Sequence, residues 1–321
     1  MSEQVLALSG GIGGAKLVLG LSKILDPEEL VIVANTGDDF EHLGFYICPD
    51  IDTLLYTLSG VSNTTTGWGR AEETWSFMQA VQKDNPDEAW FQLGDKDLET
   101  HRYRTQRLVE GATLTDLTTE LAHRFQVRPS VLPMSDNPVR THLLAENATG
   151  TSWLSFQEYF VKHRCEPRVH AIEYWGSVEA SVSPQLETAL TEGKMRAVIL
   201  CPSNPFLSID PILAVPGMKK LLRACAAPVI AVSPVVGGRA LKGPTTKIMK
   251  ELGMVADIAT VARHYVDFID GLVIDRQDKG ELERVRAMGM SAIATNTVMV
   301  SLEDRMQLAR DALNFAAELT G

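Results

Sequence analysis

The stretch Leu6-Ala7-Leu8-Ser9-Gly10-Gly11-Ile12-Gly13-Gly14-Ala15-Lys16 decides the fold. A short apolar run opens it, glycines follow, and a helix-forming segment continues to Leu21. Glycine lets backbone N–H groups approach an anion without a Cβ in the way, and the positive end of the following helix points at the same place. The stretch therefore predicts a strand, a loop and a helix that together hold the phosphates of a nucleotide-like substrate.

This loop differs from two common nucleotide-binding loops. Lys16 is followed by Leu17, so no hydroxyl stands where a Walker A loop offers one to Mg²⁺. The glycine spacing does not match G-x-G-x-x-G, which argues against a nicotinamide dehydrogenase. The alternative is a glycine-rich turn used only for tight packing. We expect phosphate contacts from five residues: Gly10, Gly11, Gly13, Gly14 and Lys16.

Composition excludes several classes of partner. The chain of 321 residues has a formal net charge of −11, which argues against nucleic acid because phosphate backbones require a basic face. Its 4 cysteines form no C-x-x-C pair, which is typical of reduced thiols. No signal segment opens the chain, and no apolar run approaches the ~20 residues that cross a bilayer. We expect a cytoplasmic protein that binds neither nucleic acid nor membrane.

Short apolar runs alternate with segments of helical periodicity. Their continuous apolar character indicates strands that are covered on both faces, as in a parallel sheet. We therefore expect one α/β domain over residues 1–321, with a doubly wound, mostly parallel, open Rossmann-like sheet and a cap or hairpin inserted at 141–176. The predicted strands are Val5–Leu8, Leu30–Ala34, Trp90–Leu93, Ser130–Leu132, Ala197–Leu200, Val229–Val232, Gly271–Ile274 and Ala292–Thr295.

Two predicted helices have clear signals. Ser183-Pro184 is typical of an N-cap with a first-turn proline, and Gly193 closes that helix. The tail after Ser301 repeats apolar residues at helical spacing, which predicts an amphipathic closing helix.

Ligands in such sheets bind beyond the carboxyl ends of the strands. Small, polar and glycine residues follow nearly every predicted strand here, which predicts a binding crevice at one edge. The segments are Asn35–Asp39, Gly94–Asp97, Pro133–Asn137, Pro202–Pro205, Ser233–Gly238, Asp275 and Asn296-Thr297.

Carboxylates in two neighbouring loops are candidates for Mg²⁺ binding. Asp39 and Asp52 are the preferred ligands, and Asp38 and Asp50 are the alternates. Mg²⁺ is usually held by one or two carboxylates, with waters and phosphates completing the octahedron. Asp39 or Asp52 could instead act as a base on an attacking hydroxyl. The alternative for Asp50 or Asp52 is a helix N-cap.

Other loops offer further contacts. Ser203, Asn204 and the Gly237-Gly238 turn are candidates for the base or ribose, although turn chemistry is the alternative for each. Ser233 is a further substrate candidate. Further substrate candidates are Asp50, Gln92, Asp95, Lys96, Ser135, Asp136, His142 and Lys242. The histidines show no metal-binding spacing, and a solvated helix face is an equal alternative to a binding role for Arg102 and Arg104.

At these loops the sequence resembles the 2-phospho-L-lactate transferase family of coenzyme F-420 biosynthesis. The resemblance extends across nearly the whole chain, and its specificity comes from the joint occurrence of the motifs. The matching stretches are Ser9–Lys16, Asn35–Asp39, Cys48–Thr53 with Tyr56–Leu58, Gly67–Gly69, Leu93–Asp97 with Thr100-His101, Leu132–Asp136, Pro202–Pro205 with Ser208-Ile209 and Pro216-Gly217, and Ser233-Pro234 with Gly237-Gly238.

The resemblance implies a specific reaction. Such enzymes move a phospho-acid, built on lactate, enolpyruvate or glycerate, from its guanylylated diphosphate to the ribityl hydroxyl of the deazaflavin Fo, and GMP leaves. It implies a Mg²⁺-dependent homodimer in which Asp52 lies beside the hydroxyl and the metal, with support from Asp39. It also implies that Gln92 contacts Fo, while Ser203, Asn204 and Gly237-Gly238 hold the guanosine.

One departure and one rival remain. The family often has Ser-Gly-Gly-Thr-Gly-Thr-Pro-Lys in the first loop, so a role for a loop hydroxyl does not carry over to Ser9–Lys16, whereas the backbone and lysine roles do. The rival is a regulator of the same fold that binds nucleotide-sugars without transfer. The deazaflavin-side stretches Cys48–Thr53, Gly94–Asp97 and Leu132–Asp136 favour the enzyme. The sequence leaves the identity of the acid open.

Overall fold

The computed structural model describes residues 3–148, 150–240 and 243–320. Its centre is a seven-stranded sheet in the order β14-β13-β10-β9-β1-β2-β5, and every strand pair in it is parallel. The strands are β1 Gln4–Ser9, β2 Leu30–Ala34, β3 Phe40–His42, β4 Phe45–Ile47, β5 Ser130–Pro133, β6 Arg140–Asn147, β7 Gly150–Ser155, β8 Arg168–Trp175, β9 Met195–Leu200, β10 Val229–Val232, β11 Val235–Val236, β12 Arg239–Ala240, β13 Gly271–Asp275 and β14 Ser291–Thr295.

Helices cover both faces of this sheet. The α-helices are α1 Gly11–Ile24, α2 Pro49–Ser59, α3 Ser76–Asp84, α4 Asp95–Val109, α5 Leu114–Arg124, α6 Pro184–Glu192, α7 Asp210–Ala214, α8 Met218–Ala224, α9 Thr245–Glu251, α10 Ile258–Tyr265, α11 Leu282–Arg286 and α12 Leu302–Thr320. Short π-helical segments span Glu158–Lys162 and Pro205–Ile209. The α/β architecture that the sequence predicts is confirmed.

The apolar runs form central strands because both of their faces are covered. In β1, Leu6 and Leu8 pack into the layer of α6–α11, whereas Val5 and Ala7 pack into the layer of α1, α2, α5 and α12. A strand that buries both faces gains the apolar contribution, roughly 25 cal/mol per Å², on each side. Continuous hydrophobicity is therefore the reliable signal for this sheet.

One of the eight predicted strands is wrong. Residues 90–93 form a turn and a bend instead of a strand. The rings of Trp90 and Phe91 lie within about 6 Å of Phe40 and His42, in a small aromatic cluster beside β3 and β4. A four-residue segment with three apolar residues cannot by itself distinguish a strand from a loop that buries its rings. The other seven predicted strands all belong to the central sheet.

The predicted helix ends and the inserted segment can also be located. Helix α6 begins at Pro184 and ends before Gly193, and α12 forms the predicted closing helix. The segment at 141–176 contains most of a three-stranded antiparallel sheet in the order β7-β6-β8. Leu143 and Val169 anchor it to the main core. The division into one domain with an insertion stays a prediction.

The order of the strands places the crevice. Strand β1 pairs with β2 on one side and with β9 on the other, so the chain order reverses at β1. Such a switch point leaves an opening beyond the carboxyl ends of the strands. The loops after β1 and β9 meet there, because Ser203 Oγ donates to the Gly10 carbonyl at 2.7 Å.

Helix α1 packs against α12 at a glycine that tolerates no side chain. A Cβ at Gly20 would stand 2.2 Å from the Arg305 carbonyl oxygen. In an open helix, Gly→Ala stabilises by about 1 kcal/mol. Here we expect Gly20→Ala to destabilise the protein by about 1–3 kcal/mol, because the helices must move apart.

Urea unfolding followed by circular dichroism measures this change. Gly280→Ala is the matched control, because no heavy atom lies within 4 Å of a Cβ built there. The control should stay within about 0.5 kcal/mol of the wild type. Equal unfolding midpoints for the two variants would contradict the close packing of α1 on α12.

Candidate functional site

A cleft of about 660 Å³ opens beyond the carboxyl ends of the central strands. One group of lining residues follows β1, β9, β10 and β14, and it is small, polar or glycine-rich. The second group comes from the α2–α4 region and from the inserted segment, and it includes Tyr56, Trp68, Phe91, Phe156 and Phe160. The cleft therefore combines a polar, glycine-rich wall with an aromatic wall.

The first glycine loop forms part of the polar wall. Helix α1 begins at Gly11, directly after the loop, and Gly10 in the N-cap position provides no side-chain cap. Gly11 has φ +65°, and a Cβ there would meet no atom, so its glycine serves backbone conformation. The first N–H groups of a helix lack partners within the helix, and they attract anions. Gly10, Gly11 and Gly13 line the cleft at this point.

Two glycines of this loop are required by tight packing, which is the alternative that the sequence left open for the loop. A Cβ at Gly13 would stand 2.5 Å from the Pro202 carbonyl oxygen, and one at Gly14 would stand 2.4 Å from Ser9 Oγ. Gly14 packs behind the cleft and does not line it. Lys16 does line it, and its ammonium group donates to the Met299 carbonyl at 3.0 Å.

Acidic side chains meet the start of α1. Asp50 Oδ1 accepts from the Gly11 N–H at 2.6 Å, and Asp50 Oδ2 accepts from Asn35 Nδ2 at 2.9 Å. Asn35 Nδ2 also lies 3.4 Å from Asp38 Oδ1. Asp38 and Asp50 both line the cleft. Burial raises the pKa of Asp50 to about 6 and the pKa of Asp38 well above its usual range, with the charge of Asp50 adding to the effect on Asp38.

Asp39 lies behind this pair. Its Oδ2 accepts from Cys48 Sγ at 3.2 Å and from the Tyr46 hydroxyl at 3.4 Å. Within the described ranges, Asp39 Oδ1 is buried and has no hydrogen-bond partner. Burial raises the pKa of Asp39 to about 7, and the nearby Arg140 opposes the rise. Asp39 lines a second, smaller cavity of about 210 Å³ beside the main cleft.

Asp52 has a different environment from the other acids. It forms a buried ion pair with Arg104, whose NH1 donates to Asp52 Oδ2 at 3.1 Å and whose NH2 donates to Oδ1. Arg104 has no solvent exposure, and His101 Nδ1 lies 3.7 Å from Asp52 Oδ2. Burial, with the charge of Arg104, holds the pKa of His101 well below its usual range. Both Asp52 oxygens are therefore engaged by a permanent cation.

Two expectations about these helices are wrong. Arg104 is buried, so the solvated-face alternative fails for it, whereas Arg102 is exposed. Asp50 and Asp52 lie inside the first turn of α2, and its N-cap is Cys48. The signal for the buried face was the spacing of Asp97, His101 and Arg104, because residues at i, i+4 and i+7 share one side of a helix.

The acids differ in how well they fit a divalent cation. No group of three or more His, Cys, Asp or Glu side chains in the described residues forms a preformed metal site. Mg²⁺ needs no such cage, because one or two carboxylates and the substrate phosphates suffice. Asp38 and Asp50 fit this role, because both line the cleft and burial disfavours their uncompensated charge. Asp52 fits less well, because the permanent cation Arg104 already compensates its charge, whereas the hydrogen-bond donors to Asp50 are neutral.

Four more predicted residues line the cleft. Ser203 exchanges hydrogen bonds with the Gly10 backbone, and Ser233 Oγ donates to the Val235 carbonyl. Asn204 Oδ1 caps the π-helix at Pro205–Ile209, while its Nδ2 is buried without a partner in the described chain. Gln92 contacts the cleft from an exposed position.

The remaining predicted residues are not brought to the main cleft. Asp95 accepts from the Ser76 and Phe77 N–H groups at the start of α3, and Asp136 accepts from the Thr115 N–H at the start of α5. These carboxylates stabilise helix ends. The Ser135 hydroxyl donates to the Ser181 carbonyl at 2.6 Å.

Four other predicted residues do not line the main cleft, and one lies outside the described residues. Lys96 Nζ donates to the Ala71 carbonyl, and Gly237 and Gly238 form the turn between β11 and β12. His142 stacks on Trp175 with ring centroids 3.7 Å apart, at the second cavity. Lys242 lies outside the described residues.

Comparison with known proteins adds independent findings. The model of the family described as 2-phospho-L-lactate transferase CofD matches residues 5–313. A phosphoenolpyruvate transferase from Kitasatospora aureofaciens is 37% identical over 318 residues, which covers 98% of each chain. A 2-phospho-L-lactate transferase from Methanosarcina mazei is 36% identical over 305 residues, covering 95% of this chain and 98% of the relative.

Solved structures support the fold alone. A protein of the UPF0052 family from Bacillus halodurans superposes with a TM-score of 0.61 at 14% identity, covering 98% of this chain and 99% of that one.

Among the residues described, no helix is long and apolar enough to cross a membrane.

The Asp52–Arg104 pair leads to a test of stability. Removing one partner of a buried ion pair leaves an uncompensated charge and costs about 3–5 kcal/mol. We expect Arg104→Met to lose that much, as measured by urea unfolding. The control is Arg107→Met on the same helix, whose pair with Glu120 is partly exposed. That change should cost under about 1 kcal/mol. Similar losses in both variants would show that burial of the Asp52 pair carries no special weight.

Proposed function

The chain belongs to the 2-phospho-L-lactate transferase family, and from this premise we propose that it moves a phospho-acid from a guanylylated diphosphate to the deazaflavin Fo, with release of GMP. The observation that carries the proposal is the meeting of two features in one cleft: the start of α1 and the carboxylates of Asp38 and Asp50. The first suits phosphates, and the second suits the cation that accompanies them.

The polar wall suits the donor. The Gly11 N–H donates to Asp50, so the N–H groups that follow it in the first turn of α1, together with the Lys16 ammonium, would hold the diphosphate, and they need no side-chain hydroxyl. Asn204 Nδ2 is a donor without a protein partner, which favours a contact with the guanosine half of the donor. A buried donor that lacks a partner costs about 1–3 kcal/mol, and a ligand oxygen would recover this energy.

The aromatic wall suits the acceptor. Trp68 and Phe91 offer faces for a flat heterocycle, and stacked aromatic rings contribute about 0.5–1.5 kcal/mol beyond the burial of their area. Gln92 and Asp52 line the same cleft, and Gln92 would make the Fo contact that the family resemblance implies for it. In this arrangement the ribityl chain would extend from the rings toward the diphosphate.

Mg²⁺ is part of this proposal. Asp38 and Asp50 would provide the direct contacts, and Asp39 would support them through its buried, unpartnered Oδ1. Bound there, the ion would supply charge neutralisation for the diphosphate. Phosphoryl transfer depends mostly on positioning and charge stabilisation, so the chain needs no covalent nucleophile. A homodimer and a cytoplasmic location also remain proposals.

The acid carried by the donor is decided by experiment. The printed names of the relatives include both a phosphoenolpyruvate transferase and a 2-phospho-L-lactate transferase. We expect the protein to form a phosphodiester of Fo when guanylylated lactate, enolpyruvate and glycerate compete with MgCl₂ present. Mass spectrometry of the products identifies the preferred acid. Absence of all three products, with Fo present and no change in its fluorescence on titration, would favour the regulator instead.

Asp39 gives a prediction with a definite pH dependence. Its folded pKa of about 7 lies above the unfolded value of about 3.9. The cost of ionising it is therefore present above the folded pKa and disappears as the pH falls. Without divalent ions, we expect Asp39→Asn to be more stable than the wild type at about pH 8, by on the order of 2 kcal/mol. This advantage should shrink at about pH 5.5.

Thermal unfolding in EDTA measures this difference. Glu41→Gln on β3 is the control, because that carboxylate is exposed. The control should show the same small difference at both pH values. A stability difference between Asp39→Asn and the wild type that does not change with pH would contradict the assigned environment of Asp39.

A further inference from the structure

Asp97 on α4 is a buried carboxylate that none of the assigned roles uses. It is 7% exposed and lines the cleft. Its Oδ1 has no hydrogen-bond partner among the residues that the structure describes. Burial raises the pKa of Asp97 to about 7, and the charges of Asp52 and Glu73 add to the rise. A buried acceptor without a partner in a ligand-sized cleft is where a substrate donor is expected.

The start of α4 does not account for this carboxylate. Asp97 occupies the first turn of the helix, where a carboxylate could have served as a cap. Glu73 already performs that function, because its Oε2 accepts from the Lys96 N–H at 2.8 Å and its Oε1 accepts from the Asp97 N–H at 3.0 Å. The Asp97 side chain is thus available to the cleft.

The other acids of the cleft are less suited to accept a proton. Asp52 gives both oxygens to Arg104, a contact that stabilises the anion and lowers its basicity. Asp50 accepts from Gly11 and Asn35. Asp38 lies beside Asp50, among the proposed ligands of the cation. Asp97 is not paired with an arginine as Asp52 is, and it is not among the proposed ligands of Mg²⁺.

We propose that Asp97 is the base that accepts the proton of the attacking hydroxyl in the transfer reaction. The inference rests on the proposed function, because it names a residue for that reaction. Asp97 belongs to the aromatic group of lining residues that suits the acceptor, together with Tyr56, Trp68 and Phe91. It takes the role of base that the sequence offered as an alternative for Asp39 or Asp52.

The step balances without any further reactant. The hydroxyl oxygen of the acceptor forms a bond to the phosphorus that carries the acid, and its proton passes to an Asp97 carboxylate oxygen. The bond from that phosphorus to the bridging oxygen breaks, and the electron pair leaves on the phosphate of GMP. Asp97 then returns its proton to solvent after the products depart. A positioned base of this kind contributes about 10²–10⁴-fold to a rate.

Several groups face Asp97 and influence its charge. Tyr56 and Asp52 approach from α2, while Arg70 and Glu73 approach from the segment between α2 and α3. Arg70 has a cation–π contact with Tyr56, at 5.9 Å from guanidinium to ring centroid. Burial and the two acids raise the pKa of Asp97, whereas the Tyr56 hydroxyl, through a hydrogen bond, and the charge of Arg70 oppose the rise.

The test compares Asp97→Asn with the wild type and with Glu99→Gln. Glu99 lies on the same helix but is exposed, so it controls for the loss of one negative charge from α4. With Fo, a guanylylated acid and MgCl₂, we expect Asp97→Asn to turn over at least about 100-fold more slowly than the wild type. Glu99→Gln should match the wild type, and all three proteins should bind Fo equally by fluorescence titration.

Three outcomes would overturn the assignment. Asp97→Asn could keep more than a tenth of the wild-type rate, or its rate and its Fo affinity could fall together, which would indicate binding alone. Asp97→Asn could also unfold at a temperature far below that of the wild type, which would point to a structural role. Asp97→Glu, which keeps the carboxylate, is then the deciding variant, and its failure to restore the rate would overturn the assignment. A wild-type protein that forms no phosphodiester with any donor would refute the proposed function itself.

Discussion

The hydrogen bond from the Gly11 N–H to Asp50 Oδ1 is the contact on which the site depends. It joins the first turn of α1 to the first turn of α2, so the glycine loop and the acidic loop share one cleft. Asn35 extends this link, because its amide donates to Asp50 and lies near Asp38. The start of a helix and two buried carboxylates are thereby held next to each other. That pairing suits a phosphate accompanied by a divalent ion.

The balance of buried charge explains why the acids can gather here. Asp38, Asp39 and Asp50 repel one another, and burial raises their pKa values. The charge of Arg140, and to a smaller extent that of Arg104, opposes this effect at Asp39, but Arg104 forms its ion pair with Asp52. The cluster is thus short of positive charge in the protein alone. A site that is strained in this way gains most from a bound cation, and functional sites commonly carry such strain.

Local patterns predicted the sheet and most of the lining loops, because continuous apolar runs and loop glycines carry their own signals. The strand predicted at Trp90–Leu93 is wrong because its apolar side chains pack in an aromatic cluster from a loop. Periodicity over four residues cannot reveal such packing. The Asp52–Arg104 pair was beyond reach, since the partners are 52 positions apart and on different helices. Asp95 and Asp136 looked like ligands because a loop carboxylate and a helix cap have the same sequence signal.

The same ambiguity explains why Asp97 emerges only from the structure. The sequence places Asp95 and Asp97 in one polar stretch, and nothing in it separates their roles. In the fold, Asp95 accepts from N–H groups at the start of α3, and Glu73 caps α4. Asp97 is left as the carboxylate of this stretch that lines the cleft. The role of Asp97 follows from its lack of a structural one: a buried polar atom that has no hydrogen-bond partner in the protein is available to a substrate.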